Sequence, residues 1–138
     1  RQEDSLRMRQ DVYSGRLKLH GEEHPETARM ANNYATSLLK LQRFGEVKSL
    51  LCRTLPVTRR VLGKNSTTTL ASESIYAEAL YADPAATPDD LREAVTTLED
   101  AERRARRVFG GAHPTTVGLG AELKLLRESL RETPPTSG

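Results

Sequence analysis

Gly21-Glu22-Glu23-His24-Pro25-Glu26-Thr27 decides the fold, because the chain writes it three times. It returns as Gly63-Lys64-Asn65-Ser66-Thr67-Thr68-Thr69 and again as Gly110-Gly111-Ala112-His113-Pro114-Thr115-Thr116. Ahead of the later copies, Arg59-Arg60-Val61-Leu62 matches Arg106-Arg107-Val108-Phe109. Behind the earlier ones, Tyr34-Ala35 matches Tyr76-Ala77. Ser66 stands 42 residues after His24, and His113 stands 47 after Ser66. A period of this size marks an array of stacked units. Each unit then buries its apolar face only against its neighbours. Such a chain reads as a binding scaffold and not as an enzyme.

The punctuation around each copy is helical. Gly21, Gly63 and Gly110 follow apolar periodic stretches, where a glycine in the left-handed conformation ends helices. Pro25 and Pro114 suit the first helical position, and Ser66 is a good N-cap in the copy without proline. Thr87-Pro88-Asp89-Asp90 is a further start, with two carboxylates at the positive end of a helix dipole. These marks predict six helices, roughly 2–19, 25–41, 44–62, 67–82, 88–108 and 114–131. The apolar residues agree: Val47, Leu50, Leu51 and Leu55 recur at helical spacing, as do Leu91, Ala94, Val95, Leu98, Ala101 and Ala105. No stretch alternates with period two. Pro56 removes a backbone hydrogen bond to the Cys52 carbonyl and should kink the third helix without ending it. The five extra residues of the second copy fall in the turn near Asp83–Pro88, where added length costs little. The tail 133–138 has nothing to bury and is expected to be disordered.

Composition narrows the function classes. The chain of 138 residues is 36% hydrophobic and 29% charged, with charges of both signs mixed, so it folds but with a modest core. Aromatic residues are scarce, so that core must be Leu, Val and Ala. The net charge of +2 does not demand nucleic acid or an anionic membrane. No apolar run nears the length of a membrane span. The lone Cys52 cannot form an internal disulfide and fits a reducing, cytoplasmic setting. It reads as a buried or half-buried structural thiol, since no Cys or His stands at ligand spacing on its helix. Arg1 opens the chain, which suggests a fragment or a processed product.

The copies resemble tetratricopeptide repeats of the kinesin light chain type. His24-Pro25, Asn32-Asn33-Tyr34-Ala35, Arg43-Phe44-Gly45-Glu46 and Arg60-Val61-Leu62-Gly63 carry the resemblance. The second copy keeps Tyr76-Ala77 and Arg107-Val108-Phe109-Gly110 but has Ser74-Ile75 in place of the two asparagines. The third keeps His113-Pro114 and reads Leu123-Lys124 in place of Tyr-Ala. The resemblance spans about residues 5–130. It implies an all-α, right-handed solenoid of helical hairpins with about six antiparallel helices. In its register an orphan second helix (2–19) precedes full units at 25–62 and 67–108, and an orphan first helix (114–131) follows. A piece of a longer array is the expectation.

The resemblance also implies that the first helices line a concave groove holding a peptide or a partner helix. Carried across, the groove positions are Arg29, Asn32, Asn33, Thr36 and Lys40, then Ala71, Ser74, Ile75, Glu78 and Ala82. Spacing supports part of this independently, because Arg29, Asn33 and Lys40 share one helix face and Ala28, Ala31, Ala35 and Leu38 the opposite one. Arg and Lys there suit a carboxylate, whereas Glu78 would oppose an acidic ligand.

Sharper chemistry is weighed and set aside. His20-Gly21-Glu22-Glu23-His24 matches the inverted zinc-peptidase motif, which needs one continuous helix, but Gly21 and Pro25 put a turn there. No metal or other cofactor is expected. Arg103, Arg104, Arg106 and Arg107, with Arg59 and Arg60, could form a phosphate-binding patch, which makes a nucleic-acid binder the alternative reading. The interleaved Glu99, Asp100 and Glu102 favour a solvated, self-paired face, with Glu99–Arg103 and Glu102–Arg106 as the pairs. Tyr13, Tyr34, Tyr76 and Tyr81 read as packing residues. End-to-end self-association is expected through Leu6, Val12, Tyr13 and Leu17 on the first helix and Leu119, Leu123 and Leu126 on the last, because each end lacks one neighbour.

Overall fold

The computed structural model describes residues 1–132, so the expected disorder of 133–138 lies outside the described residues. It contains α1 (Gln2–His20), α2 (Pro25–Lys40), α3 (Phe44–Leu62), α4 (Thr67–Tyr81), α5 (Pro88–Phe109) and α6 (Pro114–Glu132). There is no strand among the described residues. The sequence boundaries hold to within a residue or so because local side chains write them. Ser66 Oγ accepts from the Thr69 amide at 3.0 Å. Thr87 and Asp90 form a reciprocal capping box with Pro88 in the first turn. His24 Nδ1 accepts from the Glu26 amide and His113 Nδ1 from the Thr115 amide, each at 3.1 Å. A histidine ring thus fills the role of a serine cap.

The helix ends correct one expectation. Gly21, Gly63 and Gly110 have φ of 81°, 93° and 89°, as glycine permits, but ψ of 178°, 147° and 161°. The left-handed helical conformation that was expected has ψ near +47°. These glycines instead leave the helix in the extended, positive-φ region that only glycine adopts easily. Each amide still donates to the carbonyl four residues back, on Leu17, Arg59 or Arg106. Helix α2 ends differently, with Gln42 at φ 58°. Arg43 and Gln42 donate to the Leu38 and Leu39 carbonyls, the paired bonds of a Schellman motif. Helix α3 runs through Pro56.

Each helix packs on the next in sequence, and α2 also touches α4, and α4 touches α6. The backbones of α1 and α3 make no close approach, nor do those of α3 and α5. The first helices therefore form a contiguous row, while the second helices splay apart behind it. This is the packing that stacked helical hairpins require. Small residues permit the close approach: Ala31, Ala35, Ala77, Ala79, Ala94, Ala101 and Ala105 are essentially inaccessible. The core divides in two. One cluster joins α1, α2 and α3 with one side of α4 around Leu38, Val47, Leu51 and Ala79, and the other joins α4, α5 and α6 around Leu70, Leu98 and Leu123.

Three further expectations change. Cys52 is exposed and not buried, because it faces away from the Leu51 and Leu55 side of α3. Glu99 pairs with Arg127 of α6 and not with Arg103, which pairs with Asp100 at 3.1 Å; Glu102–Arg106 forms as expected. The residues expected at free ends are mostly covered. Leu6, Tyr13, Leu119, Leu123 and Leu126 are buried and Leu17 is half-buried, because each faces the adjoining helix. Of that set only Val12 is exposed; Met8, Leu19, Val117 and Leu125 are the other exposed aliphatic residues near the ends.

Candidate functional site

The row α2–α4–α6 presents the side chains assigned to the groove, and the structure sorts them. Arg29, Asn33 and Lys40 are exposed. Arg29 is not free of partners, since it pairs with Glu26 at 2.9 Å. Both side chains are about half exposed, so this pair contributes little and opens cheaply. Asn33 directs its amide toward Met30 Sδ at a long 4.0 Å, while its backbone carbonyl accepts from Arg9. Lys40 makes no ion pair among the described residues.

Of the other four positions, Asn32, Thr36 and Ser74 are hydrogen-bonded within the molecule and Glu78 is half-buried. Asn32 Oδ1 accepts from Ser72 Oγ at 2.8 Å, which ties α2 to α4. Thr36 Oγ1 donates to the Asn32 carbonyl, a bond within its own helix. Ser74 Oγ donates to Glu122 Oε1 at 2.6 Å, tying α4 to α6. Glu78 is half-buried, and burial together with the nearby Glu122 carboxylate pushes its pKa up. The face that spacing alone had picked out is the accessible one. The positions carried over by resemblance serve partly as interlocks.

Glu122 lies 89 residues beyond Asn33, the sum of the two repeat offsets, so it is a groove position of α6 that the sequence reading left out. With Glu78 it stands in a cleft of about 1270 Å³ between the C-terminal halves of α4 and α6 and the N-terminal half of α5. Tyr81 donates to Glu122 Oε2 at 2.8 Å, and burial pushes the Tyr81 pKa upward, reinforced by that carboxylate. Leu91, Val95, Leu125, Leu126 and Leu130 supply apolar walls. Neither Glu78 nor Glu122 forms an ion pair among the described residues. The row is thus cationic at α2 and acidic between α4 and α6.

The competing chemistries fare differently. His20 ends α1 and His24 caps α2, with their rings stacked 4.0 Å apart. They do not stand on one helix, and His24 Nδ1 is occupied by the Glu26 amide. Most of the arginine patch is neutralised internally: Arg59 and Arg104 bind Glu73, Arg60 binds Glu23, and Arg103 binds Asp100. Among the described residues, no helix is long and apolar enough to cross a membrane. No protein-family model matches the chain, and no curated protein matches it.

Proposed function

We propose that the chain is a tetratricopeptide-type solenoid, right-handed in its stacking, that serves as a protein-interaction scaffold without catalysis. Its inner face holds a peptide or partner helix along α2 and α4. The observation that carries this reading is the accessible trio Arg29, Asn33 and Lys40 on the side of α2 opposite its buried stripe. Two separated cations and an amide suit a peptide that carries a carboxylate and has backbone amides free. The single exposed thiol of Cys52 favours a reducing, cytoplasmic setting.

The test is an Arg29→Ala/Asn33→Ala variant probed with peptides selected from a displayed random library on the unmodified chain. Melting should stay within about 0.5 kcal/mol of wild type, since surface substitutions away from caps and cores cost little. Capture should fall at least tenfold, because charge-assisted hydrogen bonds contribute roughly 1.5–3 kcal/mol each. Unchanged capture of every selected peptide would move the binding surface elsewhere. Salt-sensitive binding of single-stranded RNA at Lys64, Arg103 and Arg107, which line a smaller cleft, would then support the nucleic-acid reading.

A further inference from the structure

Corresponding positions of successive units exchange charge. At the α3–α4 join Lys48 pairs with Asp83, where Val95 and Leu130 stand one unit on. That exchange removes charge, and a second one adds it. In the α1–α2 turn, Glu22 shares a cleft with Arg53 of α3, and Glu23 holds Arg60. The counterparts of Glu22 and Glu23, 42 residues on in the α3–α4 turn, are Lys64 and Asn65. The counterparts of Pro56, Val57 and Arg60, 47 residues on in α5, are Arg103, Arg104 and Arg107. The second unit therefore drops two carboxylates and adds three cations at one place. Only Asp100, in place of Arg53, runs against the trend.

These residues line a cleft of about 210 Å³ between the α3–α4 turn and α5. It lies within the array and not at either end. Arg104 is its buried wall: it binds Glu73 and donates to the Lys64 carbonyl, which ties the turn to α5. Setting Arg104 against Glu73 leaves Lys64, Arg103 and Arg107 facing Asp100, an excess of two positive charges. Lys64 and Arg107 are exposed and form no ion pair among the described residues. Arg103 pairs with Asp100, but both side chains are well exposed, so this pair opens cheaply. Asp100 then keeps Arg104 at 2.9 Å. Arg107 has lost the partner that Glu23 gives Arg60, because Asn65 stands there instead. Asn65 Oδ1 is buried without a hydrogen-bond partner among the described residues. Turned over, the same amide offers Nδ2 as a donor from that place.

We propose that this cleft binds a phosphate monoester. Lys64, Arg103 and Arg107 take its oxygens, and the Asn65 amide donates one further hydrogen bond. A monoester carries about −1.5 to −2 charges at neutral pH, which matches the excess of the cleft. Guanidinium groups suit its oxygens because they can donate two parallel bonds. The site stands apart from the row α2–α4–α6 and does not rest on the peptide reading.

Amide chemical shifts of the isotopically labelled chain, titrated at fixed ionic strength with phenyl phosphate, test this. Saturable shifts should appear at Lys64, Asn65, Arg103 and Arg107, with Arg29 and Asn33 unmoved. Lys64→Glu with Asn65→Glu writes the turn of the first unit into the second, and should weaken binding at least tenfold. Arg107→Gln changes an exposed side chain on the other wall; it should melt like wild type and bind at least tenfold weaker. A phosphoserine tripeptide that binds well above inorganic phosphate would place the phosphate on a protein ligand, and equal binding would place it on a small molecule; either supports the site. Shifts that fail to saturate, or that sodium chloride alone reproduces, would overturn the proposal. So would unaltered binding by Arg107→Gln. Dimethyl phosphate bound as tightly as phenyl phosphate would also overturn it, since that marks a phosphodiester, nucleic-acid surface. The Arg29→Ala/Asn33→Ala variant should bind phenyl phosphate like wild type, which separates this site from the groove.

Discussion

Glu73 occupies a helix position that the rest of the array keeps apolar, and its side chain is only 3% exposed. Arg104 grips it with two bonds of 2.7 and 2.6 Å, while also binding Asp100 at 2.9 Å and the Lys64 carbonyl. The same two positions in the preceding unit are Ala31 and Val57. Removing one partner of a buried pair strands the other, so Glu73→Ala should cost about 3–5 kcal/mol. Glu73→Ala with Arg104→Val should recover most of that loss, since an apolar pair replaces the charges. Denaturant unfolding of the two singles and the double decides it; a double as unstable as the worse single would refute the account. Acid adds a second check. Burial opposes ionisation of Asp100, but Arg104 and Arg103 outweigh it and hold its pKa below the usual carboxylate range. Backbone amides do the same for Asp83 and Asp90. Groups with depressed folded-state pKa values stabilise fully above the unfolded value near 4 and lose that contribution as pH falls below it. The melting temperature should therefore decline as pH falls through about 4 toward 3, and Asp100→Asn should flatten the decline. None of this pair was legible beforehand. The 42-residue offset sets Glu73 opposite Ala31 in the sequence, but a lone glutamate reads as surface until the structure shows it buried against Arg104.

At the scale of elements the sequence was far more open, because a helix end is decided by three or four adjacent residues. Pro25, Ser66, Thr87 and Pro114 each stand where a cap or first turn was expected. What the residues did not disclose was the partner atom. His24 caps through Nδ1, a role that proline beside it obscured. His24→Ala should cost about 1 kcal/mol in a thermal or urea melt, and His24→Ser should cost little, because Ser66 already performs the same task one unit on. The glycines give a sharper contrast between space and backbone. No atom lies within 4 Å of a Cβ added at Gly63, yet its φ of 93° is hostile to any side chain. Gly63→Ala should therefore destabilise by about 1–3 kcal/mol despite the open surroundings. A neutral melt would mean that the turn relaxes without loss.

For the molecule as a whole, the order of helices follows from the repeat, whereas the row α2–α4–α6 depends on contacts between helices that are not neighbours in sequence. Arg29, Asn33 and Lys40 were found from spacing because exposure on a regular helix follows its period. Asn32 and Ser74 were read as ligand contacts but bond across the row, to Ser72 and Glu122, since a polar residue at a helix–helix join and one facing solvent look alike in sequence. The cleft at α5–α6 escaped for a related reason: it arises where Val95 and Leu130 replace an ion pair, a comparison between two helices at once. The claim that binds these observations is that the inner row is the working surface. It is tested most directly by backbone amide chemical shifts of the isotopically labelled chain, recorded with and without a peptide selected on it. The account predicts shifts at Arg29, Asn33, Lys40 and along the inner face of α4, with α3 and α5 unmoved at Arg53, Arg60 and Arg107. Shifts concentrated on those arginines, with α2 silent, would contradict it.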